Sequence, residues 1–170
     1  TFYFFFFFSP LSQVIKRELL RVPFWGWSMA LLKPIAINRG NPKAALKQLA
    51  SEGEDRLNDG LWVLIFPEGT RVPYGQMGKF SRGGAAMAVN AGLPVLPIAH
   101  NAGKCWPRDT WIKQPGTIQI VVGAPMYAEG SGPRAIAELN ERAYHWVRER
   151  QIELGALPAD AAMVSSTAEE

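Results

Sequence analysis

Phe66-Pro67-Glu68-Gly69-Thr70-Arg71 places a carboxylate, a hydroxyl and a guanidinium within four residues. Arg71 can grip a phosphate with paired donors, and Thr70 with the turn N–H groups can add more. Glu68 can accept from a substrate hydroxyl or hold an arginine in place. The plainer alternative is a strand-terminating turn with a surface ion pair. Gly69 permits a tight turn or a close backbone approach. Arg39, Lys79 and Arg82 supply further positive charge, and His100 and His145 are the two imidazoles of the chain.

These groups need elements to hold them. Leu61-Trp62-Val63-Leu64-Ile65 is an apolar run of buried-strand length, and Pro67, lacking an N–H, ends its ladder. Strand ends of α/β sheets are where ligands commonly sit. Pro34 to Ile37 forms a second short strand that delivers Asn38-Arg39-Gly40. Asn41-Pro42 then caps a helix with Leu46, Leu49 and Leu57 on one face, running to Asp59-Gly60. This is a strand–helix–strand unit long enough for a parallel crossover.

Val72 to Phe80 reads as a loop. A small-residue helix follows over Ala85 to Ala91, closed by Gly92. Leu93 to Ala99 is a strand whose ladder Pro94 and Pro97 must leave incomplete. A polar connection from His100 to Pro115 leads to a strand over Thr117 to Val122. A helix from Arg134 to Glu153, with Ile136, Leu139, Ala143, Trp146 and Val147 on one face, stops at Gly155. Residues 156–170 show no periodicity and are expected to be a mobile tail. Towards the start, the aromatic run Phe2 to Phe8 fits a buried strand, a helix end or a lipid-facing patch. Ser12 to Leu20 fits a strand or a helix. Val22 to Leu32 reads as a short apolar helix, either core or in contact with a membrane or acyl chain; its two Trp favour an interface. The fold expected is one α/β domain over residues 1–155, with a mostly parallel central sheet flanked by helices and no internal boundary.

With 48% hydrophobic and 19% charged residues, the 170-residue chain is globular with a real core. The single Cys105 excludes an internal disulfide and a cysteine-rich metal site. Charge is uneven: residues 1–82 carry 11 Lys and Arg against 6 Asp and Glu, residues 83–170 carry 7 against 9. The basic half holds FPEGTR, which suits an anionic substrate or membrane surface. Nucleic acid is disfavoured, because there is no basic run or interleaved aromatic platform. A P-loop nucleotide site lacks its glycine–lysine pattern. No stretch reaches the roughly 18–20 apolar residues of a spanning helix.

FPEGTR resembles the third motif of the glycerolipid acyltransferases, the family that includes the 1-acylglycerol-3-phosphate acyltransferases. Three more segments match in order: Pro34-Ile35-Ala36-Ile37-Asn38-Arg39 the second motif, with Asn38 where the family usually has an acid; Lys79-Phe80-Ser81-Arg82-Gly83-Gly84-Ala85 the basic stretch after the third; Leu93-Pro94-Val95-Leu96-Pro97-Ile98 the fourth. The resemblance covers residues 11–125. It implies a glycerol-3-phosphate acyltransferase-like fold. The implied reaction is acyl transfer from acyl-CoA or acyl-carrier protein, with no other cofactor or metal, to the free hydroxyl of 1-acylglycerol-3-phosphate. It places the phosphate on Arg39 and Arg71 and the glycerol part near Glu68, Gly69 and Thr70. Lys79 and Arg82 would lie nearby, towards substrate, headgroups or carrier, and Val95, Pro97 and Ile98 would shape the acyl slot. If the strands before Arg39 and Arg71 are neighbours, they lie about 5 Å apart, so the two guanidiniums could share one phosphate. Other acceptor lysolipids, or a non-catalytic module binding anionic phospholipid, are the rival readings. Lipid substrates imply peripheral attachment at the cytoplasmic face of a membrane, aided by Phe2 to Phe8, Trp25 and Trp27.

The family's catalytic base is the histidine of a His-x4-Asp or His-x4-Glu motif, whose carboxylate fixes the tautomer. Here His100 has Cys105 five positions on and Asp109 nine on. His145 has Glu149 four positions on, but it lies far downstream on the last helix, where it reads as a surface residue with an i,i+4 partner. The motif is therefore expected before Thr1, in a longer precursor, and these 170 residues alone are expected to transfer no acyl group.

Overall fold

The computed structural model describes residues 2–38, 42–107 and 110–160. The chain divides into two compact units between Phe66 and Pro67.

In the first unit, helix α1 (Phe2–Phe7) precedes strand β1 (Leu11–Lys16), a 3-10 turn (Arg17–Arg21) and helix α2 (Trp25–Ala30). Strand β2 (Ile35–Ile37), helix α3 (Pro42–Asn58) and strand β3 (Trp62–Leu64) follow. The sheet is parallel, as expected, but its order is β2-β1-β3. Val14 pairs with Ile35 and Leu11 with Trp62. The ambiguous stretch after Ser9-Pro10 is therefore the central strand, with Leu11, Ser12 and Ile15 buried. Buried Ser12 is compatible with that position because its Oγ donates to the Lys33 carbonyl at 2.8 Å. The same carbonyl accepts from Arg56 Nε at 2.9 Å, and Gln48 Nε2 donates to the Ala36 carbonyl at 3.0 Å, which ties α3 to β2. The expected adjacency of the strands before Arg39 and Arg71 is corrected: β1 separates them, so β2 and β3 lie two strand spacings, about 10 Å, apart.

The entry to α2 is unusual. Phe24 has φ 61 and ψ −54, and Trp25 N–H donates to the Pro23 carbonyl at 2.6 Å. This is a positive-φ γ-turn, a rare conformation that for a bulky residue costs about 1–3 kcal/mol. Gly26, the second residue of α2, is buried directly against the backbone of Leu19 and Leu20.

The second unit holds helix α4 (Gly83–Ala91), strand β4 (Ile98–His100), a short helix α5 (Ala102–Cys105), strand β5 (Ile120–Val122) and helix α6 (Gly132–Glu153). Gly92 closes α4 at φ 65, in the left-handed region expected of a C-cap glycine. The ladder around Pro94 and Pro97 is incomplete, as the prolines require: Val95 makes an isolated bridge to Met126, and pairing resumes only at Ile98–His100, antiparallel to β5. These two strands form their own ladder rather than extending a parallel one. Helix α6 packs on α4 and β4. One core cluster joins Ala85, Ala88 and Leu139; another joins Met77, Ala99, Val147 and Leu157. Burial of Leu157 carries packed chain past the expected start of the tail at 156, with the Ala156 N–H on the Gln151 carbonyl at 2.8 Å. Residues 161–170 lie outside the described residues. Among the described residues no helix is long and apolar enough to cross a membrane.

Candidate active site

Two residues beyond β3 the chain enters FPEGTR, and from Pro67 it forms a closed loop of the second unit. The loop is shut at its neck by the Ser81 N–H, which donates to the Pro67 carbonyl at 2.8 Å. Inside the neck, the Gly78 N–H donates to Glu68 Oε1 at 2.7 Å. Gly78 is buried, and a methyl group there would sit 3.1 Å from Val72 Cγ2 and 3.4 Å from Glu68 Oε1, a tight fit that would displace one of these side chains by a few tenths of an ångström. Gly69 turns the chain at φ 70. Met77 anchors the loop in the core, and Phe80 meets Tyr144 edge-on at 5.1 Å.

The result is a backbone ring that presents Thr70, Arg71, Lys79 and Arg82 to solvent. Of the two arginines expected on the phosphate, Arg71 sits on this braced loop with Lys79, and Arg82 follows its neck as the N-cap of α4. Arg39 lies outside the described residues, so its place relative to Arg71 is not part of this geometry. Gly78 and Ser81 are the contributors that sequence reasoning missed. Their only signal was a glycine and a serine in a loop, and their role depends on packing.

Burial pushes the Glu68 carboxyl above its usual range, and the Gly78 N–H opposes that shift. The folded state therefore holds this proton more tightly than the unfolded chain. Stability is full below the ordinary carboxylate pKa, falls as pH rises through the raised one, and is flat above it. Glu68→Gln keeps an oxygen for Gly78 and removes the charge. It is expected to be at least as stable as wild type at neutral pH and to flatten this pH dependence. Glu68→Ala leaves a buried N–H without its acceptor, at a cost of about 1–3 kcal/mol. Urea unfolding of both variants from acid to neutral pH checks this; equal losses for Gln and Ala would mean that the Gly78 bond contributes nothing.

Of the expected acyl-slot residues, Pro97 is buried and Val95 and Ile98 are half-buried. Val95 joins the cluster around Leu139, and Ile98 pairs with Val122. Pro97 is buried; its Cγ and the Trp146 ring leave no room for a side chain at Gly123.

Neither histidine is set up as a base. His100 Nδ1 accepts the Ala102 N–H at 3.3 Å, which leaves the proton on Nε2, and burial lowers its pKa. His145 is exposed on α6, as expected, but its i,i+4 neighbour is Glu141, 3.7 Å away and one turn back, rather than Glu149. The side chain leans towards the N-terminus of its helix, which favours the earlier partner.

A strand–helix–strand unit followed by a braced Glu-Gly-Thr-Arg loop defines the class: the chain belongs to the Acyltransferase family, whose sequence profile matches residues 3–101. That match includes all four motif segments and crosses the Phe66–Pro67 division. Among curated proteins, the chain is 68% identical over 157 residues to a 1-acyl-sn-glycerol-3-phosphate acyltransferase of Pseudomonas aeruginosa, covering 92% of the chain and 61% of that protein. It is 36% identical over 90 residues to the human 1-acyl-sn-glycerol-3-phosphate acyltransferase beta, covering 53% of the chain and 32% of that protein. It shares its fold with the crystal structure of the 1-acyl-sn-glycerophosphate (LPA) acyltransferase PlsC from Thermotoga maritima. There the TM-score is 0.69 at 25% identity, over 86% of this chain and 58% of that one. The chain thus spans less than two thirds of the length of each of these relatives.

Proposed function

We propose that this chain is the phosphate-binding portion of an enzyme that acylates the free hydroxyl of 1-acylglycerol-3-phosphate, giving phosphatidic acid. The acyl donor is acyl-CoA or acyl-carrier protein. The observation that carries this reading is the 68% identity to the Pseudomonas protein over 92% of the chain, a span that contains the braced FPEGTR loop. In this reading Arg71, with Arg39, holds the phosphate. Glu68 keeps the loop in shape through Gly78, while Gly69 and Thr70 approach the glycerol part. Lys79 and Arg82 add positive potential at the rim, and Val95, Pro97 and Ile98 back the acyl chain. Association with the cytoplasmic face of a membrane follows from lipid substrate and product.

The test is genetic and chemical. The whole gene product, expressed in a cell lacking 1-acylglycerol-3-phosphate acyltransferase, is expected to restore growth and to convert labelled acyl donor and lysophosphatidate into phosphatidate. The 170 residues alone contain no His-x4-Asp or His-x4-Glu and are expected to give no turnover. No product from the whole gene product would overturn the proposal. Turnover by the isolated chain would overturn the reading of its two histidines.

A further inference from the structure

The helix entry at Phe24 presents an arrangement that the acyl-transfer reading does not use. Phe24, Trp27 and Leu31 lie at i, i+3 and i+7 and are 78%, 62% and 84% exposed. The buried positions of the same short helix are Gly26 and Met29. Only Gly26 and Met29 face inward, while Trp27 and the two flanking residues Phe24 and Leu31 leave large apolar surface in water, which folding alone does not favour. Phe24 and Trp27 meet edge-on at 5.3 Å and form one ridge. The ridge is held outward by backbone rather than by side-chain packing. The strained γ-turn at Phe24 aims the ring, and Gly26 seats α2 against the 3-10 turn. Backbone strain that persists under an exposed aromatic residue points to a use for the exposed ring.

Charge beside the ridge identifies what it meets. The first unit, residues 1–66, contains eight Lys and Arg against five acids, four of which lie in the stretch 52–59. Arg17 and Arg21 belong to the 3-10 turn on which α2 packs, and both are exposed. An aromatic and aliphatic ridge flanked by cations, with tryptophan at its edge, matches the interface of an anionic bilayer: rings sit at headgroup level and cations meet the lipid phosphates.

We propose that Phe24, Trp27 and Leu31 form a preformed membrane-docking ridge, steered to anionic lipid by Arg17 and Arg21. The proposal deepens the lipid-enzyme reading, on which it rests for the presence of a bilayer. Its test needs no substrate, so the two can fail separately.

The chain is mixed with vesicles of phosphatidylcholine alone or of equimolar phosphatidylcholine and phosphatidylglycerol, and bound protein is measured by flotation. Wild type is expected to float with the mixed vesicles. The double variant F24S/W27S is expected to lose about tenfold or more in partitioning, and R17Q/R21Q about tenfold on mixed vesicles only. Phe24→Gly separates docking from folding, because glycine accepts the positive φ: binding falls while the thermal midpoint holds or rises. Failure of wild type to float overturns the proposal, as does F24S/W27S binding like wild type. It is also overturned by a solution dimer that the double variant dissolves and whose formation abolishes flotation. A folded Phe24→Gly variant that floats like wild type would also overturn it.

Discussion

In the whole gene product, Arg71→Ala is expected to lower kcat/KM for 1-acylglycerol-3-phosphate about a hundredfold. A guanidinium offers two parallel charge-assisted hydrogen bonds to a phosphate, and losing them removes about 3 kcal/mol of binding. Arg71→Lys keeps the charge and loses the fork, so it is expected to recover about tenfold of that loss and no more. Arg71 is exposed on a loop whose shape depends on the Glu68–Gly78 and Ser81–Pro67 bonds. Its removal leaves both of those bonds in place, so the thermal midpoint should fall less than in Glu68→Ala. The deciding control is the acceptor. With 1-acylglycerol, which has no phosphate, wild type and Arg71→Ala should react at the same low rate. An equal loss on both acceptors would mean that Arg71 supports the loop rather than the phosphate.

The same loop explains why Glu68 and Arg71 should give different mutational signatures although they lie three residues apart. Glu68 is half-buried with one oxygen committed to Gly78, whereas Arg71 faces solvent. Substitution at Glu68 acts on the ring that carries all of the loop's cations. Substitution at Arg71 leaves the Glu68–Gly78 and Ser81–Pro67 bonds in place.

The features that were legible in the sequence are those set by local chemistry. Pro67 and Gly69 marked the end of a strand and a turn, Gly92 marked a helix stop, and the apolar stripe of α6 marked a core helix. Four motif segments in order identified the family. The features that were not legible depend on partners distant in the chain. The stretch from Ser12 mixes Gln13, Lys16 and Arg17 with apolar residues, so neither period wins; it becomes the central strand because Lys33 satisfies Ser12 and two strands cover its edges. That insertion separates β2 from β3. The close pairing of Arg39 and Arg71, argued from neighbouring strands, therefore loses its geometric basis. Pro23-Phe24-Trp25 reads as an ordinary helix start, and nothing local announces a positive φ at Phe24. Leu157 looked like part of a tail because its neighbours Met77, Ala99 and Val147 come from three other elements.

Gly26→Ala is expected to destabilise the first unit strongly. A Cβ at Gly26 would stand 2.4 Å from the Leu20 carbonyl oxygen, 2.6 Å from its carbon and 2.8 Å from the Leu19 oxygen. All three are backbone atoms, so no rotamer change relieves the overlap. The 3-10 turn must unwind or α2 must lift off, giving up the Gly26 N–H bond to the Val22 carbonyl at 2.7 Å. The cost is about 3 kcal/mol or more, a fall in thermal midpoint of about 6–12 °C. Gly69→Ala provides the contrast. Nothing lies within 4 Å of a Cβ there, so only the positive φ opposes it, at about 1–2 kcal/mol. Thermal unfolding of the two variants side by side separates overlap from backbone preference. A Gly26→Ala variant no less stable than Gly69→Ala would show that α2 does not rest on the 3-10 turn in solution. If the loss is as large as expected, vesicle flotation of the same variant gains meaning. Gly26→Ala removes no apolar atom from the ridge, so weaker membrane binding in a variant that stays folded reports on how the 3-10 turn and α2 hold Phe24, Trp27, Arg17 and Arg21.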